Sequence, residues 1–332
     1  MDNLTHTAIG LFLGRIGLAR WSPRGTAIVL IAANIPDIDV VSASGGTLNY
    51  LAYHRHLTHS LLLMPVMAIA AVALVRLAGR KPLRWVGAFF AALIAVASHL
   101  ALDWTNVYGV RLLLPFSGEW LRADTTYIVD LWIWAVAIVG IAGPFLARLV
   151  GSEISSGVAR ERHHGRGFAW FALLVVLVYE CGRGALHARA VASLESRMYD
   201  DALPVRVAAT PDPVNPLKWR GIVETTAAYV IQDLDLATDP AGAHGIFFHK
   251  PDPEPAIDAA RRTAAFRGFL PFAQYPLWRV TPYPAVENGK LVEVFDLRFG
   301  TPLAPGFMAR AVLGSSLQVI ESSFQFGAVR PR

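Results

Sequence analysis

Histidine and aspartate recur in the first 130 residues of this 332-residue chain at spacings suited to a shared metal ion. His99 and Asp103, in Ser98-His-Leu-Ala-Leu-Asp103, are four residues apart. On a helix that places both on one face, one turn apart, within reach of a single cation. His56 and His59, in His54-Arg-His-Leu-Thr-His59, are three apart and share a face if a helix begins there. Asp37 and Asp39 flank a single residue in Asn34-Ile-Pro-Asp-Ile-Asp39. Pro36 disfavours helix at Ile35, and an extended Asp-x-Asp would project both carboxylates the same way. His6 lies in the first turn of the amino-terminal apolar segment, and Asp130 opens a later one. Imidazole nitrogen with carboxylate oxygen is a borderline ligand set that favours zinc, with manganese or iron as alternatives.

Charge leads to the same place. Asp37, Asp39, Asp103 and Asp130 are four carboxylates, and only Arg55, Arg111 and Arg122 are at hand to offset them. Such a cluster repels itself unless cations compensate it. Two divalent ions would neutralise four carboxylates and let the histidines bind as neutral imidazoles, so the expectation is two or more ions. The chemistry they would supply is a water whose pKa falls toward ~7, a nucleophile for hydrolysis. One of Asp37, Asp39 and Asp103 would alternatively serve as general base.

The elements that must position these groups are mostly apolar. The chain is 54% hydrophobic and 17% charged, with mean hydropathy +0.41, which points to an integral membrane protein. Ser60–Ala78, Trp85–Leu102, Val129–Val150 and Phe168–Ala188 each approach the length of a bilayer crossing. Leu4–Leu18 and Thr26–Ile35 are short, and the basic turn Arg20-Trp-Ser-Pro-Arg24 between them suggests a helical hairpin. A cleavable signal peptide is not expected, because the chain opens on Asp2 without a basic start. The predicted architecture is an α-helical membrane bundle of about four full spans plus that hairpin over residues 1–190, then an α+β domain over 191–332. Fifteen of the 21 prolines fall in the second part.

Eleven basic residues collect in alternate connections: Arg15, Arg20 and Arg24; Arg76, Arg80, Lys81 and Arg84; Arg148, Arg160, Arg162 and Arg166. The positive-inside rule then puts the carboxy-terminal domain outside the cytoplasm. It also accounts for the net charge of +5 without a nucleic-acid partner. The His and Asp segments fall on the opposite face. Cys181 is the one cysteine, so an internal disulfide and a cysteine-rich site are excluded.

Five motifs in order resemble a known family. Met1-Asp-Asn-Leu-Thr-His-Thr-Ala-Ile-Gly10, Pro36-Asp-Ile-Asp39, His56-Leu-Thr-His-Ser60, His99-Leu-Ala-Leu-Asp103 and Trp104-Thr-Asn-Val-Tyr-Gly109 look like the LexA-regulated, inner-membrane-associated metal-dependent hydrolases. The resemblance covers roughly residues 1–135 and implies a bacterial inner-membrane protein with a hydrolase-like metal site. A more distant similarity, at His99 and Asp103, is to zinc-dependent phospholipase C. With a site at the membrane boundary, it implies a lipid or lipid-linked phosphoester as substrate.

Plainer roles stand beside these. Asp130 suits the N-cap of the third span, Asp37 a turn and Asp39 the N-cap of the next segment. His54 sits one residue off the His56 side. Glu180, Arg183 and His187 share a stripe of the last span and read as a polar ladder within the bundle. His163 and His164 read as a solvated loop, and His244 and His249 receive no role. In the second part, Trp219–Leu236, Ile246–His249, Leu277–Thr281 and Leu317–Phe326 suggest strands. The alternation from Phe295 to Phe299 suggests another, and Pro255–Phe269 a helix. Two rival functions remain. An intramembrane metalloprotease would need a His-Glu-x-x-His motif, which the chain lacks. A metal transporter or sensor would need polar residues continuing toward the other face.

Overall fold

Asp2 starts the first helix: its carboxylate accepts from the backbone N–H groups of Leu4 and Thr5, both at 3.0 Å. Helix α1 (Asn3–Ile16) ends at Gly17, whose φ of +151° suits glycine at a C-cap. The basic turn then folds back into α2 (Gly25–Ala32). This computed structural model describes residues 1–79, 82–154, 164–239 and 245–326. Arg80, Lys81, Arg160, Arg162, His163 and His244 lie outside the described residues. The hairpin is tight because residue 10 is glycine: a Cβ there would stand 2.7 Å from Ala33 Cβ.

A bend of 45° separates α2 from a 3-10 stretch, Ile35–Gly45. The extended Asp-x-Asp expected here does not form. Pro36 occupies the first turn, where its missing N–H costs nothing, and so begins this helix instead of excluding one. Helix α3 (Thr47–Tyr53) follows, then the 3-10 turn Leu57–His59 and a 90° bend into α4 (Met64–Leu77). The Ser60–Ala78 run is therefore not one straight crossing. Ser60 Oγ donates to Leu57 O at 2.9 Å and accepts from Leu63 N at 3.2 Å, a turn that delays the helix to the segment around Pro65.

Among the described residues three helices, not four, are long and apolar enough to cross a membrane alone: α5 (Trp85–Thr105), α6 (Leu131–Ile154) and α7 (His164–Glu195). Counting each bent pair as one crossing gives up to five. Small residues let these helices approach closely. Ala32 of α2, Ala68 and Ala71 of α4, and Ala91, Ala92 and Ala95 of α5 form one buried core. Ile9 and Phe12 of α1 pack with Ile133 of α6 and Ala172 of α7 in another.

The chain forms two compact units. The first comprises Met1–Asp39, Arg55–Leu186 and Pro211–Pro216; the second comprises Val40–His54, His187–Thr210 and Leu217–Arg332. The second unit holds two four-stranded sheets. One has the order β1 (Arg206–Pro211), β2 (Lys218–Glu224), β3 (Ala228–Asp235), β4 (Ile246–His249). After α8 (Pro255–Arg261) and α9 (Ala264–Phe269) come β5 (Pro276–Pro282) and β6 (Lys290–Asp296), then the short pair β7 (Gly300–Thr301) and β8 (Ala304–Pro305). With β9 (Phe307–Leu313) and β10 (Val319–Phe326), β5 and β6 make the second sheet, in the order β10-β9-β6-β5.

The expected single helix over Pro255–Phe269 is two, because Thr263 interrupts it and caps α9 through Phe266 N at 3.4 Å. The alternation from Phe295 to Phe299 is not a strand throughout. Leu297–Phe299 is a 3-10 turn, because Asp296 turns its carboxylate onto Arg298 N, 3.2 Å away, and ends β6.

Candidate metal centre

Four side-chain atoms converge in the first unit: Asp37 Oδ1, His59 Nε2, His99 Nε2 and Asp103 Oδ2. The two imidazole nitrogens are 3.2 Å apart. Asp103 Oδ2 lies 3.2 Å from His59 Nε2 and 3.4 Å from His99 Nε2. Asp37 Oδ1 lies 3.4 Å and 3.6 Å from the same two atoms. A tetrahedral ion with ligand bonds of ~2.0–2.2 Å requires ligand separations of about 3.3–3.6 Å. The polygon has the dimensions of a metal shell, and these four residues can hold one ion.

Each imidazole is held from behind. His99 Nδ1 is 2.8 Å from Ala33 O, a carbonyl that can only accept, so Nδ1 donates and the ring is fixed with Nε2 toward the group. His59 Nδ1 is 3.1 Å from Asp39 Oδ2 and 3.0 Å from Thr58 Oγ1, which fixes that ring likewise. Asp39 Oδ2 is itself fixed by Thr58 Oγ1 at 2.9 Å and Arg55 N at 2.8 Å. Two imidazole nitrogens and two carboxylates thus meet around one point that could hold a metal ion. Asp103 Oδ2 is buried without a hydrogen-bond partner among the described residues. Buried acceptors in that state are stabilised by a cation and destabilised without one.

The sequence segments meet here because α1, the end of α2 and the end of α5 pack together. His99 and Asp103 share one face of α5 as their i, i+4 spacing predicts. His59 closes its 3-10 turn, with His59 N donating to His56 O at 3.0 Å. His56 stands at the N-cap of that turn, not on a shared helical face, and lies outside the four-atom group. In the 3-10 conformation Asp37 and Asp39 meet different nitrogens of His59. Asp37 enters the group and Asp39 stands behind His59. His6 stacks on His99 with ring centres 3.7 Å apart and holds its Nε2 3.5 Å from Asp103 Oδ1. Neither of its nitrogens has a hydrogen-bond partner among the described residues.

Asp130 is used elsewhere. Its Oδ1 accepts from Trp132 N at 3.0 Å and Ile133 N at 3.2 Å, and its Oδ2 from Tyr179 Oη at 3.0 Å, which caps α6 and ties it to α7. Glu180 and Arg183 both meet Thr125. Glu180 Oε2 accepts from Thr125 Oγ1 at 2.8 Å, and Arg183 Nε donates to Thr125 O at 2.8 Å. His187 lies against the ring of Trp219, 5.5 Å between centres.

Sequence reasoning missed Arg55 as part of the site. Its guanidinium is buried, with one nitrogen 2.8 Å from Asp103 Oδ1. An arginine between two histidines resembles a solvated residue, and its role depends on a left-handed backbone (φ +55°) that sequence does not announce. The amino group of Met1 also meets Asp103 Oδ1.

The model of the YdjM inner membrane protein family matches residues 1–190, more than half of the chain and every residue of the site. The chain belongs to that family. Membership in an inner-membrane family agrees with the long apolar helices. The chain is also 24% identical to the uncharacterized protein YfhP of Bacillus subtilis (strain 168), over 97% of this chain and 94% of that one. That similarity continues through the sheet-bearing unit, beyond the family match. No solved structure matches.

Proposed function

We propose that this protein is a membrane-bound, metal-dependent hydrolase whose ion is held by His59, His99 and Asp103, with Asp37 at the entrance. The observation that carries this reading is a gradient of exposure. The side chains of His59, His99 and Asp103 are fully buried, whereas that of Asp37 is 12% exposed. A hydrolytic site needs three fixed ligands and one position open to water. Asp37 stands where that position meets solvent, and Asn3 Nδ2 holds its other oxygen at 3.0 Å.

A divalent ion there supplies Lewis acidity, which brings the pKa of water toward ~7. The protein does the rest. Ala33 O and Asp39 hold the two imidazoles through Nδ1, so that each Nε2 would be the atom offered to the ion. Asp37 is placed to take the proton released as water attacks, since its exposed edge lets that proton leave to solvent. The set of donors fits zinc, with manganese or iron as alternatives.

The surroundings support a substrate class. Leu4, Ile38 and Leu57 are exposed apolar residues, each next in sequence to a group that binds Asp37 or Asp39 or to Asp37 itself. Apolar residues around a hydrolytic entrance in an inner-membrane protein suit a lipid or lipid-linked phosphoester. With the basic loops on the cytoplasmic side, the site and the sheet-bearing unit would face outward.

The test is Asp37→Asn in detergent-purified protein, assayed against phosphoesters of increasing acyl length. Hydrolysis is expected to fall by at least about 100-fold, the usual yield of a positioned base, while bound metal persists. Unchanged turnover in Asp37→Asn would remove the proposed role. Metal binding without turnover of any phosphoester would favour a sensor or transporter.

A further inference from the structure

Arg55 occupies an unusual place for a cation. One guanidinium nitrogen is 2.8 Å from Asp103 Oδ1, and the other is 3.1 Å from both Asn106 Oδ1 and Gly109 O. Its plane lies 4.8 Å from the centre of the Tyr108 ring. Its backbone N–H reaches Asp39. One residue therefore touches both the carboxylate that enters the four-atom group and the carboxylate behind His59.

Asp103 turns its two oxygens to different partners. Oδ2 faces the four-atom group, and Oδ1 faces Arg55 and the Met1 amino group. In two-ion hydrolytic centres the ions stand ~3.5–4 Å apart, the spacing a bridging carboxylate spans with its two oxygens. Building on the metal-dependent hydrolase reading, on which this inference rests, we propose that the Arg55 guanidinium takes the place of a second ion and fixes the centre at one divalent cation.

Charge supports the assignment. Asp37, Asp39 and Asp103 contribute three negative charges, Arg55 one positive and a single divalent ion two, which sum to zero. A second divalent ion would leave two uncompensated positive charges in a buried site, an expensive state. Sequence alone suggests two or more ions because it groups Asp130 with the cluster, four carboxylates for two divalent ions.

His6 shows where the second ion would have gone. Its Nε2 stands 3.5 Å from Asp103 Oδ1 on the side that Arg55 occupies, and neither ring nitrogen has a hydrogen-bond partner among the described residues. Asp103 Oδ1 and His6 Nε2 are thus two ligand atoms on one side of the centre, and the cations that meet Oδ1 there are Arg55 and the Met1 amino group. Replacing that arginine with a neutral residue should open the position.

The experiment uses full-length protein in detergent, stripped with a chelator, saturated with Mn²⁺ and freed of excess. Ions per chain are counted by elemental analysis, and electron paramagnetic resonance distinguishes isolated from exchange-coupled manganese. The wild type is expected to hold one uncoupled ion, Arg55→Lys one, and Arg55→Gln two with a coupled spectrum. Two ions in the wild type, or saturation of folded Arg55→Gln at one, would overturn the proposal and leave the metal reading standing. No ion in the wild type would overturn the metal reading itself. The wild-type count and spin state decide the matter even if Arg55→Gln does not fold.

Discussion

Two buried acidic groups in this protein have opposite surroundings. In the second unit, Asp296 is fully buried, but Arg298 answers it through Nε at 2.9 Å and Nη2 at 2.6 Å. The same guanidinium donates to Phe272 O at 2.8 Å and lies over the rings of Phe272 and Phe299. In the first unit, Asp103 meets Arg55 with one oxygen only, and its other oxygen faces two imidazole nitrogens and a second aspartate. The first arrangement is closed: donors and acceptors match, so the pair holds the fold. The second gathers four ligand atoms that could hold a metal ion. Buried charge by itself does not mark a candidate site; carboxylates and imidazoles that converge on one point do.

The comparison breaks most visibly at Asp296. Asp296→Ala removes the carboxylate that answers the buried Arg298 guanidinium and is expected to destabilise by about 3–5 kcal/mol. Chemical denaturation would show this, while metal content stays at the wild-type level. Loss of metal in folded Asp296→Ala would dissolve the distinction between the two groups.

Asp39→Asn probes the support behind His59. The amide can still accept at one atom but lacks the charge that orients the imidazole, so metal affinity should fall about 10–100-fold without loss of the fold. Competition against a chelating dye measures it. An unchanged affinity would mean that Thr58 alone holds the ring.

The smallest effect lies on the sheet surface. Burial alone would raise the Glu224 carboxyl, but Lys250, with its ammonium 2.9 Å away, and Arg206 hold it below its ordinary value. A depressed carboxyl stabilises the fold above its unfolded pKa of ~4.3, and that contribution is lost as pH falls through the folded value. Because Arg206 is half exposed, the contribution is below about 1 kcal/mol. Glu224→Gln should therefore lower the melting temperature slightly at pH 7 and hardly at all at pH 3. An equal loss at both would show that packing, not charge, is at stake.

Much of the centre is legible in the sequence because helical periodicity is. His99 and Asp103 need only α5 to share a face, and α5 is an apolar run of the right length. Asp37 and Asp39 are visible as residues but not as partners with distinct tasks, since Pro36 permits either an extended strand or the first turn of a 3-10 helix. Asp130 suits both ligand and cap, and only its bonds to Trp132, Ile133 and Tyr179 separate the two. The division of Ser60–Ala78 escapes hydropathy because a 90° bend leaves composition unchanged. In the second unit the strand residues are visible, whereas the turn at Leu297–Phe299 depends on a capping bond that alternation conceals.

The central claim is that His59, His99, Asp103 and Asp37 converge on a cation. Elemental analysis of the detergent-purified protein beside His99→Ala, both exposed to zinc or manganese and freed of excess, tests it most directly. The account predicts about one ion per chain in the parent and at least a tenfold lower occupancy in folded His99→Ala, since one of three buried ligands is gone. Equal, negligible metal in both proteins would contradict it and return these residues to the same class as Asp296 and Arg298.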